Sequence, residues 1–248
     1  MSKDVGFWIV LGLFAVVFAL VIGVKVVLRQ QRKKFMRAWA ERRGGQYKAD
    51  ATESLRARLE PAAPFTSRGA RALDVVELRH RGVEVTVFDA HVTTRSSQST
   101  QTSVRTVLAA RLPQTAPSFI CRARHEQEQA RQRIASVVDA IGLPRGQLDR
   151  GYTPADVGEA DFAKRWVVSG STPSAVEGLW TPELTSAIDA QHGARFEVQG
   201  NSVIVLPEHS DQYFDEPLDR LVDGLAAVAA ALATALRDSP QGASSSIA

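Results

Sequence analysis

The chain opens with a stretch that has no polar period at all. From Val5 to Val24, twenty residues run without a charge. As a helix rising ~1.5 Å per residue, that run is about 30 Å long, the thickness of a bilayer's hydrocarbon core. It predicts a transmembrane anchor over residues 1–28. Behind it, Leu28, Phe35, Met36 and Trp39 recur at helical spacing among cations, predicting a basic juxtamembrane helix over 29–45 that Gly44-Gly45 ends. A short helix is expected at Ala51–Leu59, stopped by Pro61 and Pro64. The period then changes to two. Val83, Val85 and Val87 share one face of Gly82–Val92, with Glu84 and Thr86 on the other. Leu73–Leu78, Val104–Leu112 and Phe119–Ala123 read as further strands, and the short gaps predict an antiparallel meander. Between the second and third strands, Thr93–Ser103 is rich in Ser, Thr and Gln. It reads as a solvated hairpin tip, or else as a loop that is phosphorylated or meets a partner.

From Glu126 to Ile141 the helical period returns, with Ile134, Val137, Val138 and Ile141 on one face and Gly142 beyond the end. Residues 46–143 are therefore expected to form an antiparallel β plus helix lobe, followed by a linker at 144–160 containing Gly146, Gly151 and Pro154. A second α+β lobe is expected over 161–238, in the order β-α-α-β-β-α. Its elements are a strand at Phe162–Val168, helices at Ser174–Trp180 and Pro182–His192, a hairpin of Arg195–Gln199 and Ser202–Leu206 around Gly200-Asn201, and a closing helix at Pro217–Arg237. The uncharged run Gly224–Leu236 within that helix has 13 residues. At roughly 20 Å it is too short to span a bilayer, so it reads as a core helix. Residues 239–248 read as a disordered tail. The expected fold class is α+β behind an N-terminal transmembrane helix.

Charge sharpens the address. The net charge is +3, yet residues 25–43 alone carry +7, eight Lys and Arg against Glu41, so the rest of the chain carries −4. The cations stand beside the apolar run rather than on the domain, which argues against nucleic acid and for the cytoplasmic flank of a single-pass cell-membrane protein, with the N-terminus outside. Lys25, Arg29, Arg32, Lys33, Lys34 and Arg37 are the candidate membrane-surface residues. Anionic lipid attracts such side chains by ~1 kcal/mol each. A cleaved signal peptide fits less well: the apolar core is too long and Lys25–Arg29 offers no small-x-small site.

No stretch carries a chemical signature. Cys121, the single cysteine, sits in a strand-like segment and reads as a core residue. The five histidines, His80, His91, His125, His192 and His209, form no metal-binding spacing, and there is no phosphate loop, dinucleotide fingerprint or nucleophile elbow. His209, Asp211, Asp215, Glu216 and Asp219 lack the spacing and glycine of a calcium loop and read as the acidic entry to a helix. No catalytic residue, cofactor, metal or small-molecule substrate is expected.

Several segments resemble a family of uncharacterised bacterial single-pass membrane-anchored proteins, a domain of unknown function. They are Asp161-Phe162 before a hydrophobic strand, Leu179-Trp-Thr-Pro-Glu-Leu184, Arg195-Phe-Glu-Val-Gln-Gly200 and Val203-Ile-Val205 before a Leu/Ala-rich helix. Trp39-Ala40 with Gly44, and Gly82-Val83 with Val87-Phe88, extend the resemblance over most of the region after the anchor. It implies a membrane anchor and brings no catalytic residues. The expected function is a non-catalytic cytoplasmic interaction or scaffold protein that meets the bilayer and another protein. The alternatives are a lipid-surface module with a pleckstrin-like lobe and an unrecognised membrane-tethered enzyme.

Overall fold

The first helix, α1 (Lys3–Arg42), runs unbroken for 40 residues from the apolar run into the body of the protein. In this computed structural model the described residues are 3–60, 62, 64–65, 69–95, 100–124, 152–191, 194–207 and 214–239. Within them, the side chains of 3–12, 15, 17, 21, 22, 25, 94, 95 and 101 are not described. The helix stops where Gly44 takes φ +66. The Gly45 N–H donates to the Ala40 carbonyl at 2.8 Å and the Gly44 N–H to Glu41 at 3.2 Å, a paired C-cap that needs a left-handed residue at Gly44. Among the described residues no helix is long and apolar enough to cross a membrane. Twelve of the twenty residues from Val5 to Val24 have side chains outside that set.

The fold is mixed α+β, with helices packed on an antiparallel sheet. After α1 come β1 (Gln46–Asp50), α2 (Thr52–Leu59), β2 (Ala70–His80), β3 (Val83–Arg95) and β4 (Thr100–Ala123). They are followed by β5 (Thr153–Pro154), α3 (Ala160–Arg165), β6 (Trp166–Gly170), α4 (Pro173–Glu177), α5 (Pro182–Asp189), β7 (Ala194–Pro207) and α6 (Asp215–Asp238). All seven strands join one sheet in the order β1-β2-β3-β4-β6-β5, with β7 on the other side of β4. Every pairing is antiparallel.

Strand β4 is the spine. It pairs with β3 from Thr100 to Ala110 and with β6 from Phe119 to Ala123, while β7 follows it from Leu108 to Cys121. Strands from the two expected lobes, 46–143 and 161–238, thus hydrogen-bond in one sheet, and a single buried cluster runs from Met36 through Leu108 and Val168 to Leu236. The sheet buries its second face under α2 and Phe65, which stacks on Phe88 with ring centroids 6.1 Å apart.

Four local expectations change. Val104–Leu112 and Phe119–Ala123 are one bent strand of 24 residues, whose register against β7 shifts between Arg111, Ala116 and Phe119. The hairpin around Gly200-Asn201 is instead one strand of 14 residues. Gly200 holds φ +57 opposite Ala116, so its left-handed freedom serves a bulge that follows the bend of β4. Phe162 belongs to a short helix, and the strand starts only at Trp166, where the β-branched pair Val167-Val168 follows. The Thr93–Ser103 segment is largely strand, with Thr93 opposite Thr102 and Arg95 opposite Thr100. The helix expected at Glu126–Ile141, residues 144–151 of the linker and tail residues 240–248 lie outside the described residues.

Candidate functional site at the junction of helix and sheet

Residues 32, 36, 39, 40 and 43 repeat at three- and four-residue intervals, so they share one face of α1. Met36, Trp39 and Ala40 are buried on that face, in the same cluster as Val76 and Leu78 of β2. Arg32 sits one turn earlier on the same face and is also buried, with 0 % of its surface exposed. Its Nε donates to Asp89 Oδ2 at 2.9 Å and its Nη2 to Asp89 Oδ1 at 2.8 Å. Nη2 also reaches the Thr106 hydroxyl at 3.1 Å, which in turn donates to Asp89. The guanidinium lies 5.5 Å from the Phe35 ring centroid and 5.1 Å from that of Phe214, the two rings meeting edge to face. Desolvating an Arg and an Asp costs several kcal/mol per ion unless each finds its full set of partners, and here two-point pairing, a hydroxyl and two rings supply them.

A second contact lies a turn or two further on. The Trp39 indole donates to Asp219 of α6 at 2.9 Å, Arg43 meets the same carboxylate at 2.6 Å, and Arg42 pairs with Asp215 at 3.0 Å. Burial works to raise the Asp219 pKa, but the hydrogen bonds from Arg43 and Trp39 and the charges of Arg43 and Arg42 hold it below 3.8. The acidic entry to α6 is therefore used to receive the end of α1. Beside this junction the Tyr47 hydroxyl donates to Asp74 at 2.6 Å. Burial and that carboxylate push the phenol well above its usual range. Asp74 holds φ +50 at the bulge of β2, a strained position for a non-glycine residue.

The expected membrane-surface residues divide. Arg29, Lys34 and Arg37 are exposed and Lys33 is half-buried, while the side chain of Lys25 is not described. Arg37 stacks over the Tyr47 ring at 5.1 Å. Arg32 corrects the expectation: it serves the interior, because a cation on the buried stripe of α1 faces an acid on the core face of β3. The sequence carried a signal for it. Asp89 continues the period-two series Val85 and Val87, so an acid occupies a core position and needs a cation.

Among the described residues no group of three or more His, Cys, Asp or Glu is placed to hold a metal ion. Cys121 is fully buried, and burial pushes its thiol well up. The arrangement ties α1 to β3 and α6, and so fixes the direction in which the apolar half of α1 leaves the sheet.

No family model and no curated protein matches the chain. Among solved structures, the crystal structure of the mycobacterial trehalose monomycolate transport factor A, TtfA, is similar in fold, with a TM-score of 0.55 at 14% identity, covering 81% of this chain and 94% of that one.

Proposed function

We propose that the protein is a single-pass membrane protein whose α+β domain is a non-catalytic interaction or scaffold module, held on the cytoplasmic face with the N-terminus outside. The observation that carries this reading is the continuity of α1. Its described apolar residues from Leu13 to Leu28, including Phe14, Phe18 and Leu20, are exposed, and one turn later the same helix enters the core at Arg32. An exposed apolar helix of this length asks for lipid or a partner. The uncharged run is long enough for lipid, and the +7 segment behind it favours the cytoplasmic side. With no flexible linker between anchor and sheet, the domain keeps one orientation to the bilayer, which suits a scaffold. The fold likeness to a mycobacterial trehalose monomycolate transport factor supports a role connected with lipid.

Reporter fusions active on one side of the membrane only, placed after Ser239 and before Lys3, test the reading together with alkaline extraction of membranes. Retention in the extracted pellet and a cytoplasmic C-terminus are expected. Release of the chain by carbonate, or an external C-terminus, overturns it.

A further inference from the structure

Away from the junction, an open groove of about 680 Å³ lies between the β2–β3 turn, β4 and the last turns of α6. Four arginines distant in sequence converge on it: Arg79 and Arg81 at the turn, Arg111 of β4 and Arg237 of α6. The turn itself is tight, with Arg81 at φ 48 and Gly82 at φ 82, which fixes where the first two point. Between the arginines the floor holds the half-buried Val83 and Ala233, with Ala229, one turn from Ala233 on α6, and Leu112 buried beneath them.

The charges do not cancel. Arg81 meets Asp223 at 3.2 Å and Arg111 meets Glu84 at 3.6 Å. Among the described residues Arg79 donates to the Gly82 carbonyl at 3.4 Å, and Arg237 to the Ala233 carbonyl and the Thr234 hydroxyl. No carboxylate among the described residues pairs with either of them, so the groove holds two cations in surplus over an apolar floor. Such a surface matches a segment that carries carboxylates on one side and small apolar side chains on the other.

Its position selects the kind of partner. Strand β3 runs from Val83 at the groove to Asp89 at Arg32 and His91 beyond, so about 20 Å of strand separates the groove from the Arg32 pair. Along the same course α1 runs backwards, from Arg43 and Trp39 at Asp219, one turn of α6 from the Asp223 that meets Arg81, to Arg32 at Asp89 and then to its apolar residues. The groove thus sits at the end of the domain away from the apolar half of α1. On the reading of α1 as an anchor it faces away from the bilayer, beyond reach of the lipids of that membrane. We infer that the Arg79–Arg81–Arg111–Arg237 groove docks an acidic amphipathic segment of a protein partner. The orientation rests on the proposed anchor, while the charge and shape argument does not.

The test uses the full chain in micelles of an uncharged detergent, where binding at the groove is independent of how α1 sits in a bilayer. The probe is a fluorescent synthetic peptide of repeating Glu-Glu-Ala-Leu, followed by anisotropy. Binding is expected to weaken with salt, as for exposed charge pairs, and to fall about tenfold or more in Arg79→Gln/Arg237→Gln. Ala233→Glu, which places a like charge on the floor without breaking α6, is expected to abolish it with the circular dichroism spectrum unchanged. Arg79→Lys/Arg237→Lys is expected to keep most of it, and Lys164→Gln, on exposed α3, all of it. Equal binding by wild type and the Gln pair, or no peptide binding at low salt, overturns the inference. So does displacement of the peptide by inorganic phosphate or by phosphatidylglycerol vesicles at matched charge concentration, which makes the groove a small-anion or lipid site. A failed anchor shows instead in the carbonate and reporter results, with peptide binding intact.

Discussion

Arg32 and Asp89 form a two-point ion pair in which neither side chain is more than 1 % exposed. The pair joins residues 57 positions apart and is the place where α1 is locked to β3. Removing one member strands the other as a buried charge, so Asp89→Ala is expected to cost about 3–5 kcal/mol. Replacing both with apolar residues of similar volume, Arg32→Met with Asp89→Leu, removes the desolvation cost along with the attraction, and is expected to recover most of the loss. Urea unfolding of wild type, Arg32→Met, Asp89→Leu and the double variant as a double-mutant cycle, with Asp89→Ala alongside, measures this. A double variant as unstable as the single one shows that the pair does more than compensate its own burial.

What the sequence made legible here was periodic, and what it hid was distant. Val83, Val85 and Val87 place β3, and the Leu218, Val222, Leu225, Val228, Leu232 and Leu236 stripe places α6, because both periods are local consequences of burying one face. Arg32 was hidden by its neighbours: in a run of eight cations one more reads as solvated, and only the partner on β3 and the 32-36-39 spacing single it out. The joining of the two expected lobes was hidden for a similar reason. Gly146, Gly151 and Pro154 read locally as a linker between two units, whereas β4 of the first pairs along its length with β7 of the second, through register shifts between Arg111, Ala116 and Phe119 that only the partner strand reveals. The basic groove was invisible because its arginines come from positions 79, 81, 111 and 237, which only the tertiary fold brings together.

Gly200 offers a test of the bend of β4. A Cβ built there meets nothing within 4 Å, so a substitution is penalised through the backbone alone, by its φ of +57. Gly200→Ala is expected to cost about 1 kcal/mol and Gly200→Asn less, since Asn tolerates the left-handed region. Equal thermal midpoints for wild type and Gly200→Ala indicate that β7 shifts to an ordinary strand conformation there.

Cys121 pairs with Val168 on one side of β4 and with Phe196 on the other, and its thiol has no exposed surface. A neutral, covered thiol reacts slowly, because the thiolate is the nucleophile. Labelling of the folded chain by a maleimide is expected to follow the opening of the core, rising steeply only above the urea concentration that unfolds it. Prompt stoichiometric labelling in buffer shows that the β4–β6–β7 region opens readily.

Two groups around the junction set the acid response in separate windows. Burial lowers the pKa of His91 below 6.5, with Asp89 and Asp74 opposing and Arg29 and Arg71 assisting. The unfolded chain therefore binds this proton more readily than the folded one. The His91 contribution is fully present above pH 6.5 and is lost as pH falls from there toward the folded value. Asp219 acts lower: with its carboxyl held below 3.8, its contribution is present above that pH and is lost as pH falls through the folded value. Asp50, held down chiefly by the Thr52 hydroxyl with help from Arg71, adds to this lower window. Urea midpoints followed from neutral pH downward are thus expected to fall in two stages. His91→Gln is expected to flatten the first stage and leave the second. Asp219→Asn keeps an oxygen for the Trp39 indole but loses the charge facing Arg43, so it is expected to shrink the second stage. Its cost at neutral pH is within about 1 kcal/mol, because the pair is partly solvated. A first stage that survives His91→Gln assigns that window to another group.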